Sequence, residues 1–466
     1  MSFPRPALLP TGPGVVGLIL LAGLAGVPGP LMAQTARSDS AGCLGCPPRR
    51  LGAAVGGMLG ANLGVWSFNR FVMQEEWARV SPATWKRNWD QGFEFDDNQF
   101  LMNQFAHPYH GSLYFNAGRA NGFTFWESAP LAITGSLIWE YMGETHRPSL
   151  NDFFNTSLGG IAIGEVTHRL ATLIRNNQER GGRRLAGELL AGLLDPTGLA
   201  TRLVTGEAVR VGPHPADRQP DLLYTTGQAG LAHIANRGDR GEGLVQSFLV
   251  VELRHGESFD QPYTRPWDTF VIRTEVRSGA RVDLAALQAV GRLYSAEVGR
   301  RAGARHQLEV TQDYDYLRNP AYIYGAQSVA TSLRSRFGRG GRSELLTDLT
   351  VRGIVLGAIN SDYVNVNDRE YDYGPGFGLG VGAAWRYFER DLLRLSYGVN
   401  WLHTVNGSDG NHFAQLAKIE VRAPVRGGVG FGIDGLLYIQ TSVYGDVPDV
   451  HQRNPQARIY LAWFSK

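Results

Sequence analysis

Residues 270–277 read FVIRTEVR. Successive side chains of an extended chain point to opposite faces, so Phe270, Ile272, Thr274 and Val276 share one side and Arg273, Glu275 and Arg277 the other. One apolar and one charged face predicts a half-buried strand. The same period recurs at 249–254, 393–401 and 417–423. In the last of these Ala417, Ile419, Val421 and Ala423 alternate with Lys418, Glu420 and Arg422. About twelve such segments fit between residues 221 and 465, many of them near the ten residues that cross a bilayer at a tilt. Polar connectors such as NVNDREYDYGP (365–375) and NGSDGNH (406–412) separate them, and the chain finishes IYLAWFSK (459–466), an alternating strand with terminal aromatics. A soluble β-sandwich would also alternate. Strand length, terminal strand and an export-like start together favour a membrane barrel. Charges of both signs on inward faces predict a narrowed or blocked interior rather than a wide pore. Gly376, Gly378, Gly380 and Gly382 alternate with Phe377, Leu379 and Val381, which predicts a strand with one bare face approached by another backbone or a plug.

Ahead of the strands the period is helical. The expected architecture is an α+β multidomain chain: an N-terminal α-helical module, then an antiparallel outer-membrane-type β-barrel of about 12 strands. Residues 1–33 carry Arg5, an uncharged run over 15–27 and a small residue, Ala33, after Leu31-Met32. This is the pattern of an export signal. Residues 34–49 form a flexible segment holding Cys43 and Cys46, the only cysteines; in an exported chain this spacing suggests a local disulfide. The helical module is placed at 50–206 in the periplasm, a Pro- and charge-rich linker at 207–220 and the barrel at 221–466. Within the module, helices are expected near 98–118, 126–143, 150–175 and 183–204. Residues 51–71 carry glycines at near-helical spacing, which favours a tightly packed helix over a membrane-inserting one. Ser149, with Asp152 three residues on, resembles a capping box with Asp in place of Glu.

The net charge of +2 over 466 residues makes no case for nucleic acid. Outer-membrane lipid and the barrel-assembly machinery are the expected partners.

Chemistry, if present, belongs to the helical module. His107 and His110 are spaced i, i+3, Glu140 and Glu144 i, i+4, and Glu165 and His168 form an ExxH pair; each spacing puts both side chains on one helical face. With Asp152 these seven are the catalytic candidates, and His107, His110, Glu165 and His168 are the candidate ligands of a divalent metal. A di-iron bundle needs a second ExxH pair, which this stretch lacks. The competing reading is a buried polar network in which Arg119, Glu127, Arg147, Asn155 and Arg169 join the carboxylates.

The runs HPYHGSLYFNAGRANGFTFWES, GSLIWEYMGE and PSLNDFFNTSLGGIAIGEVTHRL (107–128, 135–144 and 148–170) resemble the bacterial family called domain of unknown function 3943, over about residues 80–180. The resemblance implies an envelope protein and carries no catalytic assignment. A fainter likeness to VanZ-like proteins rests on an early His, a mid-helix Glu and the run Pro148, Ser149, Asp152 with Asn155 or Gly159. It points to a shared polar cluster of His107 or His110, Glu140, Asp152 and Glu165. Two functions follow as expectations. One is an outer-membrane barrel whose helical module packs on its periplasmic end in a structural, transport or lipid-handling role. The other is an envelope hydrolase or lipid-modifying enzyme using the His/Glu/Asp cluster.

Overall fold

The computed structural model describes residues 45–465 apart from 97–98, 216–222, 236–242, 258, 279–281, 339–342, 364–369, 389 and 426–427. The expected export signal, Cys43 and the second half of the linker lie outside the described residues. Cys46 is disulfide-bonded.

Twelve strands form the second half of the chain: β1 (Leu223–Ala235), β2 (Gly243–His255), β3 (Phe270–Ser278), β4 (Val282–Arg301), β5 (Ala304–Arg318), β6 (Ile323–Phe337), β7 (Ser343–Asn360), β8 (Tyr371–Tyr387), β9 (Arg390–His403), β10 (Gly410–Pro424), β11 (Val429–Tyr444) and β12 (Val450–Ser465). Each pairs antiparallel with its neighbours, and β12 closes on β1. Closure leaves no edge with unpaired backbone groups, the condition for a sheet in lipid. Outward residues are apolar and exposed, among them Phe377, Leu379, Ile419, Val421, Ile433, Ile459 and Leu461, while Glu420, Arg422, Asp434 and Arg458 are buried on the inward face. Phe337, Trp385, Phe388 and Trp463 are exposed near the end of the barrel at which β1 starts and β12 finishes, where an aromatic girdle meets the membrane surface. Both barrel termini lie at that end. The chain therefore forms a closed barrel of outer-membrane type.

The lumen is filled. Arg254 of β2 pairs with Asp391 of β9 at 3.4 Å, and Arg394 of β9 reaches Glu252 of β2 at 4.0 Å; these strands stand nearly opposite in the ring. Arg458 of β12 meets Glu275 of β3 at 2.9 Å. Toward the other end Tyr322 and Tyr438 touch edge to face across the interior, within an apolar cluster that includes Tyr324, Ile359 and Leu402. A cavity of about 440 Å³, lined by charges of both signs, remains among these side chains. The inward glycines of β8 divide: Gly376 meets another backbone, as expected, since a Cβ there would lie 1.8 Å from the Trp401 carbonyl oxygen of β9, whereas Gly378 and Gly382 make room for side chains. A Cβ at Gly378 would lie 2.4 Å from the Arg352 stem, and one at Gly382 would lie 2.3 Å from the Asp348 carboxylate.

The module comprises α1 (Leu51–Ser67), α2 (Pro82–Gln91), α3 (His107–Ala120), α4 (Phe125–Ile138), α5 (Leu150–Phe154), α6 (Gly160–Ile174), α7 (Gly181–Leu194) and α8 (Pro196–Val204). The helix expected over 183–204 is two helices. Pro196 cannot donate within a helix and instead opens α8, whose N-terminus Asp195 caps by accepting from the Gly198 amide at 2.7 Å.

The module packs on the outer side wall of the barrel, not on its end. On β5, Glu309, Asp313 and Asp315 face the lumen and pair with Arg334 or Arg352. By alternation Gln312, Tyr314 and Tyr316 face outward, and these are the residues that meet the helices. Gln312 donates to the Leu158 carbonyl at 3.0 Å, Tyr316 packs at a tilt against Phe100, and the Tyr314 hydroxyl donates to the Gln104 carbonyl. That carbonyl is available because Pro108, four residues on, has no amide hydrogen. Tyr371 and Tyr373, outward on β8, accept from Asn103 at 2.9 and 3.1 Å. Near the opposite end Arg169 donates to Pro266 at 3.0 Å. Trp267 (φ +59°) packs on the outward side of the wall, against Gly291, where a Cβ would lie 2.0 Å from its ring. Outward positions are thus largely aliphatic, with some exposed aromatics such as Phe377 and Phe431, where the wall is bare, and include Tyr, Gln and Gly where the module sits.

Helix α1 departs from the expected tight packing. Ala54, Met58 and Asn62 are its buried residues, while Leu51, Leu59 and Leu63, with Phe71 and Val72 just beyond its end, are exposed. The glycines at 52, 56, 60 and 64 face open space, and only Gly57 abuts α3, at Ala117. With the wide turn that follows, residues Leu51–Met73 are long and apolar enough to cross a membrane.

Candidate functional site

His107, Glu140 and Asp152 converge from three helical segments, and a wide π turn adjoins each. Met102–Ala106 precedes His107, Trp139–Gly143 contains Glu140, and Asn155–Gly159 follows α5, which carries Asp152. Such turns widen a helix by one residue and re-aim its side chains, frequently at functional sites. Potential ligand atoms of the three residues all lie within 4.8 Å of one another, and all three residues are buried.

Local sequence explains each position. The Ser149 side chain caps α5 by accepting from the Asp152 amide at 3.2 Å. The reciprocal half of the expected capping box comes from elsewhere: Glu140 accepts from the Ser149 amide at 2.8 Å. Asp152 is thereby free to turn toward His107, whose Nε2 stands 3.6 Å from its carboxylate. His107 Nδ1 lies 3.1 Å from the Thr156 hydroxyl. Behind the trio, Asn151 donates to Asp152 at 3.1 Å, to Asp96 at 2.7 Å and to Tyr373 at 3.2 Å. Asn103 donates to the same Asp96 at 3.0 Å. The tyrosines on the barrel wall therefore back the site.

Electrostatics set this cluster apart. Burial, and then the nearby Glu144 carboxylate, push the Glu140 carboxyl well above its usual range. Burial followed by Asp96 and Glu140 does the same to Asp152. Burial lowers His107 to about 4 against the pull of Asp96, which leaves a neutral imidazole.

The other sequence candidates lie elsewhere. His110, one turn past His107, meets the Tyr114 hydroxyl at 2.7 Å and packs edge-on against Trp139. Glu144 accepts from the Trp139 indole at 2.6 Å, and burial raises it to about 7. Glu165 is clamped by Arg119 and Arg169, each at 2.8 Å. Burial acts to raise its carboxyl, but the two guanidinium groups outweigh it and hold it below the usual range. His168 stands 3.7 Å from Asp195, in a separate network where Arg175 also reaches Asp195 and Glu188 takes Arg175, Arg184 and Arg202. The four candidate metal ligands are therefore not one site: His107 joins Glu140 and Asp152, while the ExxH pair divides between two ion networks.

Of the proposed polar network, Arg119 and Arg169 share Glu165. Glu127 caps α4 with Thr124 and pairs with Arg49 at 2.5 Å. Arg147 pairs with Glu94 at 3.0 Å and donates to the Gln91 and Phe93 carbonyls. Asn155 is buried beside the Asn155–Gly159 turn. Sequence reasoning missed Asp96, Asn103, Asn151 and Thr156. The runs DYDYL (313–317) and EYDYGP (370–375) held the available signal, since outward tyrosines replace aliphatic residues there.

No curated protein matches the chain. Among solved structures, the chain is similar to the KdgM porin in complex with disordered oligogalacturonate (8% identity, 51% of this chain and 98% of that chain covered, TM-score 0.25). It is also similar to the COG4313 outer membrane channel from Pseudomonas putida F1 (7%, 52% and 95%, 0.27) and to the outer membrane channel DcaP of Acinetobacter baumannii (9%, 52% and 96%, 0.24). Residues 92–197, which hold His107, Glu140 and Asp152, match the family described as Domain of unknown function (DUF3943). The stretch that matches this family is held against the wall of an outer-membrane-type barrel.

Proposed function

We propose that this protein is a closed outer-membrane barrel that serves as a platform, holding its helical module against the lipid-facing wall in a structural or lipid-handling role. The observation that carries this reading is the set of ion pairs crossing the lumen between β2 and β9. A wide channel leaves its interior to water, whereas this one fills it with paired charge and tyrosine. The exposed apolar side of α1 supports membrane association of the module rather than a free periplasmic position. The terminal strand β12, ending in Trp463 and Phe464, supports assembly by the barrel-assembly machinery.

Planar-bilayer recording tests the platform reading. The wild type is expected to show no steady porin-scale conductance, and the double variant Arg254→Ala/Arg394→Ala, which removes both cross-lumen pairs, is expected to conduct. Stable, porin-scale conductance of the wild type would sink the reading.

A second reading, an envelope hydrolase or lipid-modifying enzyme, is favoured by one observation: His107, Glu140 and Asp152 converge without an Arg. Burial of all three counts against direct access of a large substrate. Turnover of phospholipid or ester substrates, lost in Glu140→Gln, would place this reading above the first.

A further inference from the structure

The buried carboxylates of the helical module divide into two kinds. Glu165 has two guanidinium partners, Glu188 has three and Asp195 has one. Glu140 and Asp152 are equally buried, yet among the described residues neither pairs with Lys or Arg, and the basic side chain that converges on them is His107. Buried charge without a counter-charge is costly, and elsewhere in this module an Arg supplies it. Glu140 also keeps one carboxylate oxygen, Oε1, with no hydrogen-bond partner among the described residues although the side chain is 97% buried.

The distances fit a shared ion better than a direct bond. At 3.6 Å, His107 Nε2 and Asp152 Oδ2 are too far apart for a hydrogen bond. Two ligand atoms each about 2.1 Å from one ion, at tetrahedral or octahedral angles, stand roughly 3–3.5 Å apart. The second shell is in place as well. With Nδ1 engaged by Thr156, His107 presents Nε2 to the carboxylates, and both Glu140 and Asp152 are oriented by hydrogen bonds from Ser149 and Asn151 respectively. Outer partners of this kind orient the ligands of metal centres.

We propose that His107, Glu140 and Asp152 bind one divalent first-row transition ion, with zinc and manganese the ions to test first. One imidazole and two carboxylates suit such an ion better than calcium or magnesium, which take oxygen ligands. The ion would supply the positive charge that arginines provide at Glu165 and Glu188, and it would tie α3, the Trp139–Gly143 turn and α5 together beneath the barrel tyrosines.

The test uses the full chain, untagged, extracted from membranes in detergent without chelator. Elemental analysis should find close to one equivalent of zinc or manganese per chain. Glu140→Gln and His107→Ala should each lower it at least tenfold, while His168→Ala, outside the trio, should retain it. As a readout independent of those variants, chelator-stripped wild type should melt at a lower temperature and regain its melting point on adding zinc or manganese. Folded wild type with neither metal nor a melting shift overturns the proposal, as does undiminished metal in both trio variants.

Discussion

Glu165→Ala is expected to destabilise the helical module by about 3–5 kcal/mol, the range for breaking a buried ion pair from one side. The side chain is fully buried between Arg119 and Arg169, so its removal takes the shared counter-charge from two buried guanidinium groups. Arg169 also bonds Pro266 in the segment between β2 and β3, so the damage extends to the contact with the barrel. Protease resistance of residues 50–206 should fall sharply while the barrel keeps its heat-modifiable migration. The pH dependence has a definite sign. The Glu165 carboxyl is held below its usual value, so its contribution is full above the unfolded carboxylate value of about 4.3. It is lost as the pH falls through the lower folded value. Wild-type resistance should therefore decline in acid, and the variant should show less of that decline. Equal resistance of variant and wild type at neutral pH would contradict the role given to this network.

Gly111→Leu is expected to separate α3 from the Asn155–Gly159 turn, at a cost on the order of 3 kcal/mol for overpacking a rigid contact. A Cβ at Gly111 would lie 1.7 Å from the Thr156 carbonyl oxygen, and one at Gly160 would lie 2.6 Å from the Gly111 Cα. Both near atoms are backbone, so no side chain can yield. Thr156 also holds His107, so the substitution should remove the metal together with the stability. Near-ultraviolet circular dichroism of the aromatic-rich module reads the first effect and elemental analysis the second. A variant with native spectrum and melting point would show that the two segments are not in the contact described.

The barrel was legible because each membrane strand meets two different media. Lipid on one side and a charged lumen on the other impose a period of two, and FVIRTEVR displays it within eight residues. The charged lining of its interior was legible for the same reason, since charges of both signs had to face inward. The docking face was not legible. Tyr314 and Tyr316, or Tyr371 and Tyr373, have the same spacing as a girdle, and only the folded module distinguishes a tyrosine that meets lipid from one that meets Gln104 or Asn103. Spacing also ranked the candidate site poorly. Glu165 and His168 formed the most motif-like pair, yet neighbours far away in sequence, Arg119 and Asp195, draw them into separate networks. His107 and His110 share a helical face, but the aromatic surroundings of Trp139 and Tyr114 turn His110 away. The trio depends on three π turns, which leave no periodic trace in a sequence.

The helical module sits on the outer wall of the barrel, and site-specific photocrosslinking in native membranes reads out that placement. A benzophenone side chain at Tyr316, outward on β5 and packed against Phe100, should link within the chain to the segment around residues 99–106. The same group at Leu461, outward and 51% exposed on β12, should link to lipid. Lipid adducts at both positions, with no link from 316 to the module, would contradict this placement.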